Sequence, residues 1–209
     1  MRRTTLKFDQ LNSLSRKDYE KYFDPMGISD DQKEDRILMA MALEDRFLEV
    51  FAFIQMRMER GEMFFTDSIP MFEAAFMAVA LTRLGLTEEE LQAVAMNFAE
   101  EVALTTYSNR DTPYFLSIDR AVNMAATESN AINSFGELKD AKLAGKTMKT
   151  WNVVMDGKER EWHGDINGTT VRIDEPFVVG GDLMMQPLDD TMGAGADNIA
   201  NCRCWLTFM

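Results

Sequence analysis

The sequence predicts an α+β protein in which a helical N-terminal region of about four to five helices precedes a small C-terminal α+β module with short antiparallel strands. Two observations support this prediction. Up to about residue 143, apolar residues recur with helical spacing, and stop signals such as Gly61 separate the segments. After Gly145, short β-prone runs alternate with glycine, aspartate and proline. We place the two parts at residues 1–117 and 118–209.

The first helices follow from capping residues and apolar spacing. A short helix is predicted around residues 15–23. A long helix is predicted over residues 29–60, because Ser29 and Asp30 are N-cap candidates and Gly61 is a stop signal. The apolar residues that recur inside it are Ile37, Met41, Phe47, Leu48, Phe51, Ile54 and Met58.

The next helices are predicted in the same way. Pro70 suits a first helical turn, so a helix is expected from Pro70 to Leu84, with Gly85 as its stop. Residues 87–90 have the pattern of a capping box, and they predict a helix that continues to about Tyr107. A fourth helix is expected from about 112 to 134, and a shorter one from 137 to 143.

The C-terminal segment predicts strands. Residues 149–155, 169–173 and 202–208 are strand candidates, and Asp156-Gly157 is a turn signal after the first of them. From Gly180 onward glycine, aspartate and proline are dense, so an ordered loop is expected there. These elements together predict the small module.

Composition indicates a folded, soluble chain. Apolar residues make up 46% and charged residues 27%, which is ordinary for a globular protein. No run of about 18 uncharged apolar residues occurs, so we expect no transmembrane helix. The net charge of −13 makes the chain a poor general binder of nucleic acid, because neutralising phosphates requires an excess of Lys and Arg. Gly180-Gly181 and Gly193-Ala194-Gly195 lack the following lysine of a P-loop, which argues against nucleotide binding.

The single histidine and the two cysteines are the residues best suited to chemistry. His163, Cys202 and Cys204 could supply three zinc ligands, with Asp165 or Asp174 as a fourth. Alternatively, the cysteines are small buried side chains that form a metal-free clasp with the histidine. A third hypothesis is a small enzyme, a hydrolase or transferase, that uses the histidine with one cysteine. No local nucleophile-elbow pattern supports it, and no catalytic residue is predicted.

Other residues have a structural interpretation. Ala126-Thr127-Glu128 lies within the fourth predicted helix, where Glu128 and Asn133 either fix polar groups of the module or belong to a solvated face. Trp151 follows an apolar strand pattern and is predicted to lie in the core.

Taken in order, these strings form one series. It comprises Ala126-Thr127-Glu128, Asn130, Asn133, Ala144-Gly145, Lys149-x-Trp151, Glu159-Arg160, His163, Gly168, Val171-x-Ile173-Asp174-Glu175-Pro176-Phe177, Gly180-Gly181, Pro187, Gly193-Ala194 and Asn198-Ile199-x-Asn201-Cys202-Arg203-Cys204. The series resembles the C-terminal domain of the Mu F-like phage minor head proteins, or phage head morphogenesis proteins, over about residues 120–206. Ile199-Ala200 stands where family members often carry a further His or Pro, which weakens the case for a four-ligand metal site.

The resemblance implies a structural minor capsid protein of a tailed bacteriophage, without enzymatic activity, that acts in head assembly or in DNA packaging and ejection. Its implied partners are the portal protein and the major capsid protein, with multiple copies per virion and no membrane contact. The implied location is the capsid interior or the portal vertex, and the host cytoplasm during assembly. The implied fold determinants are Glu128, Trp151, Asp174, Pro176 and Phe177, together with the histidine and the cysteine pair.

Overall fold

A computed structural model describes residues 8–82 and 87–209, and the side chains of residues 8–15, 90 and 93 are outside that description. Within these ranges the helices are α1 Phe8–Phe23, α2 Asp30–Glu59, α3 Phe65–Ala80, α4 Glu88–Ser108, a short 3-10 helix Pro113–Leu116, α5 Ile118–Leu143, α6 Glu161–Asp165 and α7 Ala196–Ile199. The strands are β1 Met148–Asn152, β2 Thr170–Arg172, β3 Phe177–Val179, β4 Asp182–Met184 and β5 Trp205–Phe208. The predicted α+β class is confirmed.

Helix α2 begins where the capping residues predict. The Ser29 hydroxyl accepts a hydrogen bond from the Gln32 backbone N–H at 3.2 Å, and the Gln32 side chain accepts one from the Ser29 backbone N–H at 3.0 Å. This capping box satisfies two backbone donors that the first turn leaves without helical partners. The predicted apolar stripe is buried in the bundle, with Ile37, Phe47 and Ile54 at most 1% exposed.

Helix α3 begins five residues before the predicted start at Pro70, so that prediction is wrong. The rings of Phe64 and Phe65 both pack on Tyr107, at centroid distances of 5.5 and 5.6 Å, and this packing favours an earlier start. Pro70 therefore lies inside the helix, close enough to its start to lose only one backbone hydrogen bond. The predicted end at Leu84 and stop at Gly85 lie outside the described residues, as does the Glu90 side chain of the predicted capping box. Helix α1 also begins earlier than predicted, at Phe8.

Helix α5 is continuous, whereas the sequence predicted a break between residues 134 and 137. Gly136 is buried in this helix and does not interrupt it. Contacts with α2 on both sides of the glycine hold the helix in register: Asn133 donates to the sulfur of Met39, and Glu137 pairs with Arg36. The predicted start near residue 112 is wrong as well, because residues 113–116 form the 3-10 helix.

The strands form two small antiparallel sheets. One has the order β2-β1-β5, and Trp151 of its central strand faces Leu206 of β5. The other is the β3–β4 hairpin. The predicted loop after Gly180 therefore contains β4 and α7, and the final strand begins at Trp205 instead of Cys202. Helix α6 was not predicted. Elements of three to five residues are too short to show the periodicity on which such predictions depend.

Two hydrophobic clusters lie beneath these elements. The larger fills the space among α1 to α5, and the smaller lies under the strands around Trp151 and Phe177. Ala121, Ala125 and Ile132 of α5 belong to the larger cluster, while Ala131 packs against the smaller one. The predicted division at residues 117 and 118 thus falls just before a helix that contacts both cores. None of the described helices is long and apolar enough to span a bilayer.

Candidate functional site

The three candidate ligands meet inside the protein. His163 lies on α6. Cys202 and Cys204 lie in the loop of residues 200–204 between α7 and β5, here called the cysteine turn. The Nδ1 atom of His163 is 3.6 Å from the Cys202 sulfur and 3.4 Å from the Cys204 sulfur. Each of the three residues is only 2% exposed. Sequence reasoning suggested this set, and the fold brings its members together across about 40 residues of chain.

The two aspartates considered as a fourth ligand are not part of this cluster. Among the described residues, the histidine and the two cysteines form the only group of three or more potential ligands whose atoms lie within 4.8 Å of one another. Asp165 is exposed at the end of α6. Asp174 is also exposed and pairs with Arg172 at 3.2 Å. The fold therefore supports a cluster of three donors.

Asn198 fixes the tautomer of the histidine. Its Nδ2 donates to the Val179 carbonyl at 3.1 Å and to the Asp182 carboxylate at 2.7 Å. Its Oδ1 must therefore face the indole N–H of Trp162 at 2.6 Å and the Nε2 of His163 at 3.2 Å. Because an amide oxygen only accepts, Nε2 carries a proton, and Nδ1 is the ring nitrogen that faces the two sulfurs.

The two thiols share an unequal electrostatic environment. A hydrogen bond from Cys204 lowers the pKa of Cys202 to about 5, and His163 acts in the same direction against the effect of burial. The same hydrogen bond, together with burial, raises the pKa of Cys204 above its usual range. The hydrogen bond between the thiols therefore moves their two pKa values in opposite directions.

Trp151 places a buried donor beside the thiols. The residue is fully buried, and its indole N–H has no hydrogen-bond partner among the described residues. The influence of this indole lowers the pKa of Cys204, against the larger effects that raise it, and the Trp151 ring lies edge-to-face against the His163 ring at a centroid distance of 6.1 Å. A thiolate at Cys204 would accept this N–H better than a thiol does.

Side chains from the helical bundle hold the backbone of the cysteine turn. The Tyr22 hydroxyl of α1 donates to the Cys202 carbonyl at 2.9 Å. The Asn130 amide of α5 donates to the Cys202 carbonyl at 3.3 Å and to the Cys204 carbonyl at 3.2 Å. Two helices far away in sequence thus position the residues that bear the sulfurs.

Arg36 in turn orients the asparagine. Its Nε–H donates to the Oδ1 of Asn130 at 2.9 Å, so the Nδ2 of Asn130 must point at the cysteine turn. The same guanidinium makes a bidentate pair with Glu137 at 2.7 and 2.9 Å. Arg36 and Asn130 are both 0% exposed. Sequence reasoning missed Arg36, although its position on the apolar stripe of α2 was a usable signal, because a charged residue there must have a buried partner.

The other residues implied as fold determinants occupy different environments. Trp151 stacks edge-to-face on Phe177 at a centroid distance of 5.1 Å in the smaller core. The Lys149 ammonium lies 5.2 Å from the centroid of the Phe177 ring and donates to the Met185 carbonyl. Pro176 is half-buried.

Glu128 lies away from the cysteine cluster. It lines a cavity of about 210 Å³ between α4, α5 and the loop around residue 190, together with Glu101 and Asp190. Burial, and then the charges of Asp190 and Glu101, raise the pKa of Glu128 to about 8. The pKa of Asp190 is raised to about 6, again mainly by burial. This acidic cavity is a separate feature from the cysteine cluster.

Burial limits what the cluster can do chemically. A nucleophilic cysteine must touch its substrate, but His163 and both cysteines are covered by protein on all sides. None of the three lines the cavity that contains Glu128 and Asp190. The arrangement is suited to holding protein segments together.

Comparison with known proteins identifies one family. A family model described as Phage Mu protein F like protein matches residues 85–207, which is more than half of the chain. The matched range begins before the resemblance noted from residue 120 and adds α4 to it. No curated protein and no solved structure matches the chain significantly.

Proposed function

We propose that this chain, which belongs to the family of Phage Mu protein F like proteins and thus to the phage head morphogenesis proteins, is a structural, non-enzymatic minor head protein of a tailed bacteriophage. The observation that carries the proposal is the family match over residues 85–207. It covers α4 and all but the last two residues of the C-terminal module, α5 included. A phage head protein is a virion component.

Within the head, we propose contacts with the portal protein or the major capsid protein. The net charge of −13 supports contacts with protein over contacts with DNA, because an acidic surface is repelled by packaged phosphates. The glycine pairs near residues 180 and 193 lack a P-loop lysine, so the chain is not expected to hydrolyse ATP as a packaging motor does. The proposed location is the capsid interior or the portal vertex, reached from the host cytoplasm during assembly.

Co-expression with the cognate portal protein tests the partner. A tagged full chain is expected to retain the portal on an affinity column, and the major capsid protein serves as the second bait. The wash is repeated at about 1 M salt, where the Debye length falls to about 3 Å and non-specific attraction to an acidic protein is screened. Retention that disappears in this wash would argue against a specific interface.

Purified virions test the location. Quantitative mass spectrometry of virions that have been separated from free protein is expected to detect the chain at multiple copies per particle. Its absence from virions would overturn the proposal. Comparing full particles with particles that have ejected their DNA tests a role in ejection, because an ejected protein leaves the capsid with the DNA.

A further inference from the structure

We propose that His163, Cys202 and Cys204 bind one zinc ion, which fastens the turn before β5 to helix α6. The inference depends on the geometry of these groups and is independent of a role in the phage head. It concerns the stability of the C-terminal module, whose core is small and whose strands have three to five residues. Modules of this size often depend on a metal for stability.

The distances within the cluster match a shared metal ligand sphere. Zinc lies about 2.0–2.1 Å from a histidine nitrogen and about 2.3 Å from a cysteine sulfur, so tetrahedral coordination separates nitrogen from sulfur by about 3.6 Å. The observed separations from Nδ1 are 3.6 and 3.4 Å. Hydrogen bonding explains only one of these contacts well, because Nδ1 has a single lone pair and two sulfurs converge on it.

The groups around the cluster prepare it for a metal. The Oδ1 of Asn198 accepts a hydrogen bond from the Nε2–H of His163, so Nδ1 is the ring nitrogen that faces the sulfurs. This pairing of a ligand histidine with an oxygen behind it is typical of metal sites. The buried indole N–H of Trp151 has no hydrogen-bond partner among the described residues, and the Trp151 ring lies beside His163 at a centroid distance of 6.1 Å. A zinc-bound thiolate supplies the acceptor that this N–H lacks.

The donor set selects the type of metal. Two thiolates and one imidazole favour zinc and disfavour magnesium or calcium, which prefer oxygen ligands. On binding, one nitrogen–zinc bond and two sulfur–zinc bonds form, and any proton still held by either sulfur passes to solvent. Among the described residues no fourth protein donor joins the three.

Metal analysis of the purified full chain tests the proposal. Protein prepared under reducing conditions and supplied with zinc is expected to retain about one zinc per chain after gel filtration. Replacing zinc by cobalt(II) is expected to produce sulfur-to-cobalt charge-transfer absorption. The variants His163→Gln, Cys202→Ser and Cys204→Ser should each lose stoichiometric zinc. Asp165→Asn is the matched control, since it changes a nearby carboxylate outside the cluster, and it should keep the metal.

The wild-type protein alone is enough to refute the proposal. If the cysteine variants fail to fold, thiol titration of the native chain with and without zinc still tests the proposal, because bound zinc should protect both cysteines from modification. A chelator should also lower the Tm of the zinc-loaded chain. Absence of stoichiometric zinc after reconstitution, with unchanged thiol reactivity and no cobalt absorption, would leave the cluster as a metal-free clasp. That outcome has no bearing on whether the chain occurs in virions.

Discussion

Asn130 connects the helical bundle to the cysteine turn, so its replacement by alanine should destabilise the protein strongly. The substitution removes the side-chain donor of the Cys204 carbonyl and the acceptor of the Arg36 Nε–H, while the Cys202 carbonyl keeps its bond from Tyr22. A buried polar group that loses its partner costs about 1–3 kcal/mol, so two such groups cost about 2–6 kcal/mol. Alanine regains up to about 0.7 kcal/mol through its higher helix propensity. We expect a net loss of about 3 kcal/mol in the free energy of unfolding.

Urea denaturation followed by circular dichroism measures this loss through the shift in midpoint at constant m-value. Asn123→Ala on the exposed face of the same helix is the matched control, and it should change the free energy of unfolding by less than about 0.5 kcal/mol. Asn130→Asp separates the donor role from the acceptor role, since a carboxylate still pairs with Arg36 but cannot donate to the two carbonyls. An Asn130→Ala variant as stable as the Asn123→Ala control would refute the reasoning.

Three further predictions concern other parts of the molecule. Glu137→Ala leaves the fully buried guanidinium of Arg36 without its carboxylate and should lower the free energy of unfolding, measured by urea denaturation, by about 3 kcal/mol. Glu34→Ala breaks an exposed ion pair and should lower it by less than about 1 kcal/mol. Equal losses in the two variants would contradict a structural role for the buried ion pair. Gly180→Ala brings a Cβ to 2.7 Å from a carbon of the Trp162 indole. Gly157→Ala is the control, because Gly157 also has a positive φ but open space around it. Thermal unfolding should show Gly180→Ala to be less stable than Gly157→Ala by about 1–3 kcal/mol. The raised pKa of Glu128 means that its carboxyl stays protonated in the folded state, so wild-type stability should fall as the pH rises from about 4.5 to about 8. Glu128→Gln should remove most of that fall above pH 6, where Asp190 no longer titrates, giving a variant more stable than wild type at pH 9; a parallel pH dependence in both proteins would show that another group is responsible.

Helix boundaries were predicted correctly where a local sequence signal was not opposed by packing against distant residues. The start of α2 is an example, since the Ser29 and Gln32 side chains satisfy the local backbone without help from the rest of the fold. Pro70 and Gly136 misled the prediction because distant packing outweighed their local preferences. Phenylalanine packing on Tyr107 extends α3 past Pro70, and contacts with α2 carry α5 through Gly136.

The candidate site was predictable in part for a similar reason. His163, Cys202 and Cys204 could be selected because they are the only residues of their types in the chain. Their partners could not be found in this way. Arg36 and Asn130 belong to common residue types, and their roles depend on a helix crossing that appears only in the folded structure. Metal binding by the three residues stays a prediction that zinc analysis can decide.

The position of β1 in its sheet sets the order in which the module can form during synthesis. β1 lies between β2 and β5, and β5 is translated only after α6, α7 and the other strands. Ribosomes add about 5–20 residues per second, so β1 waits about 3–11 s for its second neighbour, while helices form within about a microsecond. During that interval one edge of β1 is open to pairing with other nascent chains. The speed of translation between residues 152 and 205 therefore determines how long each new chain is exposed to this form of misassembly.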